Sequence, residues 1–192
     1  MKKKTMLLAV LILTRVLVFA DMYVEASAGY GWGKAVLNAQ NMKDILGSGY
    51  EETVYGGSVK IGTGPVFGLS IYFVADISYT AHRFDNGSDF VQFNYLSAGA
   101  GFVVNLTRYV SLAYTYGYPF FLNETSVSGL ELKSENDIGN YVMGISVSTS
   151  FRIREARIMV GWKSEIYNGR FTGGRKFRGE YETVTVRVSF RF

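Results

Sequence analysis

The sequence predicts an all-β protein, an eight-stranded antiparallel up-and-down transmembrane β-barrel. Three observations predict it. Tyr181 to Phe192 alternate strictly: Val184, Val186, Val188, Phe190 and Phe192 share one parity, and Thr183, Thr185, Arg187, Ser189 and Arg191 the other. That is the period of a strand with one apolar and one polar face. Seven earlier segments alternate in the same way, at lengths near the ten residues that a tilted membrane crossing needs. Aromatic residues gather at both ends of the apolar faces: Trp32, Tyr55, Tyr79, Tyr116 and Tyr141 at one end, and Phe67, Phe102, Phe151, Phe190 and Phe192 at the other. Such bands are expected where a barrel wall meets two headgroup layers. A soluble barrel would turn the apolar parity inward and would not sort aromatics by strand end.

Composition bounds the rest. There is no cysteine, which excludes a disulfide framework and thiolate chemistry. Lys2, Lys3 and Lys4 precede an apolar run, Met6 to Ala20, that is broken by Thr14 and Arg15. This reads as a signal peptide, residues 1–20, cut before Asp21. The run is too short and too interrupted for a membrane anchor. The leader holds four of the 20 basic residues and none of the 16 acidic ones, leaving 16 of each in residues 21–192. The high isoelectric point therefore belongs to the leader, and no nucleic-acid partner is expected.

The strands follow in order. Met22–Gly33 sets Met22, Val24, Ala26, Ala28, Tyr30 and Trp32 against Tyr23, Glu25, Ser27, Gly29 and Gly31. After a polar stretch, Lys34 to Glu52, the weakest segment is Thr53–Gly62, with Tyr55, Val59 and Ile61 against Gly56, Ser58 and Lys60. Thr63-Gly64-Pro65 makes a tight turn. Val66–Ala81 sets Phe67 to Tyr79 at odd positions against Gly68, Ser70, Tyr72, Asp76, Ser78 and Thr80. Asn86-Gly87 signals a hairpin turn. Phe90–Val104, Tyr109–Tyr118, Asn140–Phe151, Arg157–Tyr167 and Tyr181–Phe192 complete the eight. Their inward residues are small or polar, with glycines leaving room for Tyr72 and Tyr95. Links two, four and six are tight and the others longer, which predicts short periplasmic turns, long outer loops and both termini on the periplasmic side.

The leader, the eight strands, the opening A-S-A-G-Y-G-W-G and the ending V-T-V-R-V-S-F-R-F together resemble small eight-stranded outer-membrane barrels of the OmpX/Ail, OmpW and OmpA-barrel groups. The resemblance spans Asp21 to Phe192 and is one of architecture. It implies a bacterial outer-membrane location, a monomer, and outer-membrane lipids as surroundings. It also implies that Phe190 and Phe192 are an assembly signal read by the outer-membrane assembly machinery. Unlike the OmpA pattern, no periplasmic domain is expected after the barrel.

The inward ionisable residues are Glu25, Lys60, Asp76, Lys163, Glu165, Arg187 and Arg191. Charges enclosed in a barrel must pair or meet water, so an interior ionic network is expected. It serves either to satisfy the interior or as a gate. His82 is the only histidine. With Ser88 and Asp89 it makes a conceivable hydrolytic group, but the expectation is a surface histidine and no catalytic site. Neither a metal site nor a cofactor is expected, because Asp85 to Asp89 lacks the spacing and final Glu of a calcium loop.

The outer stretches differ in charge. Pro119 to Gly139 carries Glu124, Glu131, Glu135 and Asp137 against Lys133. Asn168 to Glu180 carries Arg170, Arg175, Lys176 and Arg178 with Phe171 and Phe177 between them. The two stretches either neutralise each other or leave the basic one to bind an anionic surface, glycan or host protein. The expected function is therefore a surface structural or adhesion role through the outer loops. The alternatives are an OmpW-like narrow channel for small or hydrophobic solutes, or a lipid-modifying enzyme.

Overall fold

Alternation of large apolar and small polar residues is carried through eight long strands. The computed structural model describes residues 21–47, 49–65, 69–88, 90–121, 125–127, 130–132, 134–135, 140–171 and 174–192. The strands are β1 (Asp21–Leu37), β2 (Glu51–Gly64), β3 (Ile71–Asp85), β4 (Phe90–Asn105), β5 (Val110–Phe121), β6 (Tyr141–Ile153), β7 (Ala156–Phe171) and β8 (Arg175–Arg191). Each pairs antiparallel with the next, and β1 pairs with β8, so the hydrogen bonds close a ring. Closure leaves no open edge in the ring of eight strands, which is the condition for strands to cross lipid. The terminal strand closes the ring as Val24↔Phe190 through Leu37↔Phe177, and the backbones of Met22 and Phe192 bond each other twice at 3.0 Å.

The outer wall is apolar. Val59, Ile61, Phe73, Ile77, Ile145, Val160, Val184 and Val186 are all exposed, on strands around the ring. From Met22 to Trp32, β1 climbs about 33 Å along its axis, which a tilt of about 40° reduces to the ~25 Å of an apolar membrane band. Trp32, Tyr116 and Tyr141 stand at one end of this band, and Tyr116 stacks on Tyr141 at 5.9 Å. Tyr55 and Tyr79 turn their hydroxyls to Gln92 and Asn94 there. Phe102, Phe151, Phe190 and Phe192 stand at the other end. Phe67 and Gly68 lie outside the described residues, as do residues 1–20 with the expected leader.

The connections distinguish the two ends of the barrel. At the turn end, which holds Asp21 and Phe192, β4 and β5 are joined through Leu106 to Tyr109, where Thr107 Oγ1 accepts from the amides of Tyr109 and Val110. Residues β6 and β7 contribute meet at Arg154-Glu155, with Arg154 at φ 53°. At the loop end, Asn86-Gly87 forms the expected hairpin turn, with Gly87 at φ 84° and its amide on Asp85 Oδ1. After β1 the chain turns at Asn38-Ala39, pairs Gln40–Asn41 back onto Val36 and Leu37, and forms one short helix, α1 (Met42–Leu46). Asn41 caps α1 by accepting from the Lys43 amide at 3.0 Å.

Two sequence expectations are corrected at the loop end. The strands overshoot the membrane band, so His82 belongs to β3 and is not in a loop. Asn168 to Glu180 is mostly a hairpin, paired from Asn168↔Arg178 to Phe171↔Arg175. The reason is that alternation does not stop at the headgroups: Tyr167, Gly169 and Phe171 mirror Phe177, Gly179 and Tyr181, all inward and buried. Glycine also sets how closely walls pack. A Cβ on Gly117 would lie 2.7 Å from the Ala98 carbonyl oxygen and 3.0 Å from Gly99 Cα, so β4 and β5 meet there only without side chains.

Candidate functional site

Strand register stacks the interior in layers. Nearest the turn end, Tyr23, Tyr72, Val74, Val103 and Ala113 form a small apolar layer, with Tyr23 and Tyr72 rings 5.3 Å apart. Above it, register sets Glu25 beside Lys60 and Lys60 beside Asp76. Lys60 Nζ donates to Glu25 Oε1 at 2.8 Å and lies 3.7 Å from Asp76 Oδ1. Arg187 Nη1 reaches within 3.9 Å of the same Glu25 oxygen, and Tyr23 donates to the other one. Glu25 is thus the buried anion shared by two cations and a phenol. Such a cluster is tolerated in low dielectric only because every charge has a partner.

The next row is hydroxyl. Ser27, Ser58, Ser78 and Ser97 lie in register across β1 to β4, with Ser27–Ser58 at 2.8 Å and Ser78–Ser97 at 2.6 Å. Lys163 donates to Glu165 at 3.0 Å from the opposite wall. Voids at this level measure ≈10 Å³ and ≈20 Å³, room for about one water each.

Toward the loop end the interior becomes apolar and aromatic. Phe84, Phe93, Tyr95, Tyr167, Phe171, Phe177 and Tyr181 are buried in one cluster with Leu37, Val54 and Val142. Phe93 packs on Phe177 at 5.3 Å, and Tyr95 on Tyr167 at 4.8 Å. Helix α1 lowers Met42 into the same cluster, where it is fully buried, with Ile45 and Leu46 against its edge. His82 sits at the base of this plug at 0% exposure, between Phe84 and Tyr181. Its Nε2 lies 2.7 Å from Glu52 Oε1, without the alignment of a hydrogen bond.

No protein-family model matches the chain, and no curated protein matches it in sequence. Among solved structures, neisserial surface protein A superposes with a TM-score of 0.56 at 15% identity, over 89% of this chain and 97% of that one. The chain has the fold of the small eight-stranded outer-membrane β-barrels. Other matches of this kind are Ail, the attachment invasion locus protein of Yersinia pestis, and the outer membrane protein AlkL. Ail matches at TM-score 0.49 and 18% identity, over 88% of this chain and 98% of that one. AlkL matches at TM-score 0.46 and 10% identity, over 88% and 90%.

Within this barrel, the sequence-predicted residues divide. Glu25, Lys60, Asp76 and Arg187 come together as one cluster, and Lys163 with Glu165 forms a separate pair. Arg191 is exposed at the turn end and stacks over Tyr72 at 4.7 Å. The expectation of a surface histidine is overturned, because even parity on β3 turns His82 into the barrel. His82 is buried, whereas Ser88 is exposed beyond the end of β3, and Asp89 lies outside the described residues. Phe171 and Phe177 cannot serve as exposed recognition residues, being 1% and 2% exposed. Arg170, Lys176 and Arg178 remain exposed on the outer face of the β7–β8 hairpin, with Arg175 half-buried at its tip. Arg170, Lys176 and Arg178 border a rim cleft of ≈340 Å³ beside Val36 and Asn168. Arg178 pairs with Glu180 at 2.7 Å, and backbone pairing sets Glu135 opposite Arg170. The side chains of Glu124, Glu131, Lys133, Glu135 and Asp137 lie outside the described residues.

Sequence reading missed the aromatic plug, Met42 and Glu52. The available signal was continued parity beyond Trp32 and Tyr79, where Ala35 and Leu37, then His82 and Phe84, keep the inward rhythm.

Proposed function

We propose that this chain is a closed outer-membrane barrel that works as a surface scaffold and binds an anionic partner at its loop-end rim. The observation that carries this reading is the filled interior. A salt-bridged layer, a hydroxyl layer and an aromatic plug succeed one another between the two ends. A solute would have to displace buried rings and break paired charges to pass. Partner engagement is then left to the rim, where Arg170, Lys176 and Arg178 border a cleft on paired hairpin strands. Basic side chains held on paired backbone suit a sulfated or phosphorylated glycan. In this orientation the loop end faces outward and both termini face the periplasm. The fully buried His82 weighs against a hydrolytic role, because no substrate reaches it. Binding of the refolded barrel to heparin, as an anionic-glycan probe, tests the reading. Lys176→Gln with Arg178→Gln should weaken it about tenfold, as loss of charge-assisted bonds implies. Unchanged binding in that variant would remove the rim from the function.

A further inference from the structure

A second basic site lies at the opposite end of the barrel. The turn-end mouth encloses a cavity of ≈700 Å³ lined by Arg108, Arg152, Arg157 and Arg191, with Glu155 as its one acidic lining residue. Among the described residues, none of these four arginines is in an ion pair with a carboxylate. Arg157 is fastened to the wall: Nε donates to Ser150 Oγ at 2.6 Å, Nη2 to the Arg108 carbonyl at 3.2 Å, and Nη1 to Asn105 Oδ1. The Arg191 guanidinium lies over the Tyr72 ring at 4.7 Å, and that of Arg108 over Tyr109 at 4.5 Å. Stacking on a ring face leaves the N–H edges of a guanidinium available to an acceptor.

Two further observations point to an anion. Register sets Arg157 opposite Ser189, two residues from Arg191, so β7 and β8 bring both guanidinium groups to one cavity. Asn105 Nδ2 is buried beside Arg157 and has no acceptor. A concave mouth with several like charges and an orphaned donor holds a positive potential that one multivalent oxyanion would relieve. Guanidinium forks match the paired oxygens of phosphate better than any point charge does.

We infer that the turn-end cavity is a binding site for a phosphate group, held by Arg108, Arg157 and Arg191 with Asn105 as a neutral donor. The phosphate belongs either to a phospholipid of the adjoining leaflet or to a soluble phosphate-bearing molecule. The site is independent of the loop-end rim and of the reading proposed for it.

The full chain, refolded in an uncharged maltoside detergent, is titrated with inorganic phosphate by calorimetry. In a parallel arm, native mass spectrometry scores retention of phosphatidylglycerol against an uncharged glycolipid. Saturable phosphate binding without lipid selection identifies a soluble source. Phosphatidylglycerol retained selectively and competed off by phosphate identifies a lipid. In either case Arg108→Gln with Arg191→Gln should weaken binding at least about tenfold. Lys34→Gln, an exposed β1 side chain that lines neither the turn-end cavity nor the rim cleft, should leave it unchanged. Arg191→Lys, which keeps the charge and loses the fork, should fall between. If the double variant does not refold, judged by heat-modifiable migration, Arg108→Gln alone replaces it, since that side chain sits on a turn. Phosphate heats no larger than those of chloride together with no lipid selection would overturn the site, as would equal affinity in wild type and variants.

Discussion

Toward the turn end the barrel interior holds Glu25, Lys60, Asp76 and Arg187, whose charges pair across three β-strands and the closing one. Toward the loop end the same inward parity holds Phe84, Phe93, Phe171, Phe177 and Met42, which satisfy nothing and simply fill space. The wall is continuous between them, so the difference lies in the residues and not in the scaffold. The ionic half fixes geometry through charges that fail when one partner is lost. The aromatic half excludes water through rings that tolerate partial loss. A barrel filled in both ways is closed twice over.

The largest expected effect breaks the ionic half. Glu25→Ala leaves Lys60 and Arg187 buried without their shared anion, and should cost about 4 kcal/mol in urea unfolding of the lipid-embedded protein. Phe93→Ala should cost about 3 kcal/mol in the same assay, since it removes a ring packed on Phe84, Phe171 and Phe177. An equal or larger loss for Phe93→Ala would reverse the ranking of the two halves. Val186→Arg places a charge on the lipid face between the aromatic belts and should cost about 2 to 3 kcal/mol in bilayers, with little effect in detergent. Met42→Ala removes only the cap carried by α1 and should cost about 2 kcal/mol. Lys176→Gln with Arg178→Gln should change stability by less than about 0.5 kcal/mol, because both side chains are exposed.

The barrel was legible because the membrane forces period-two alternation with apolar residues outward, and lipid-facing Val184, Val186 and Trp32 obey it without exception. The pairing of Glu25 with Lys60 was legible because consecutive strands must be neighbours. The upper plug was not. Beyond the headgroups, the outward face becomes polar as well, so Arg170, Lys176 and Arg178 read as loop while they alternate with buried Phe171 and Phe177. His82 was misplaced for the same reason: a polar residue after the girdle Tyr79 looks like the start of a loop, and only the Val54↔His82↔Phe93 register turns it inward. The turn-end cavity was invisible because Arg108, Arg157 and Arg191 come from three separate stretches of chain that only closure of the ring brings together.

Planar-bilayer recording of the purified, refolded barrel tests most directly whether the interior is sealed. The wild type should show no stepped conductance at any applied voltage, and Met42→Ala with Phe177→Ala should open at most brief, small events. Reproducible ohmic steps from the wild type would contradict a closed barrel and return the interior to the role of a passage.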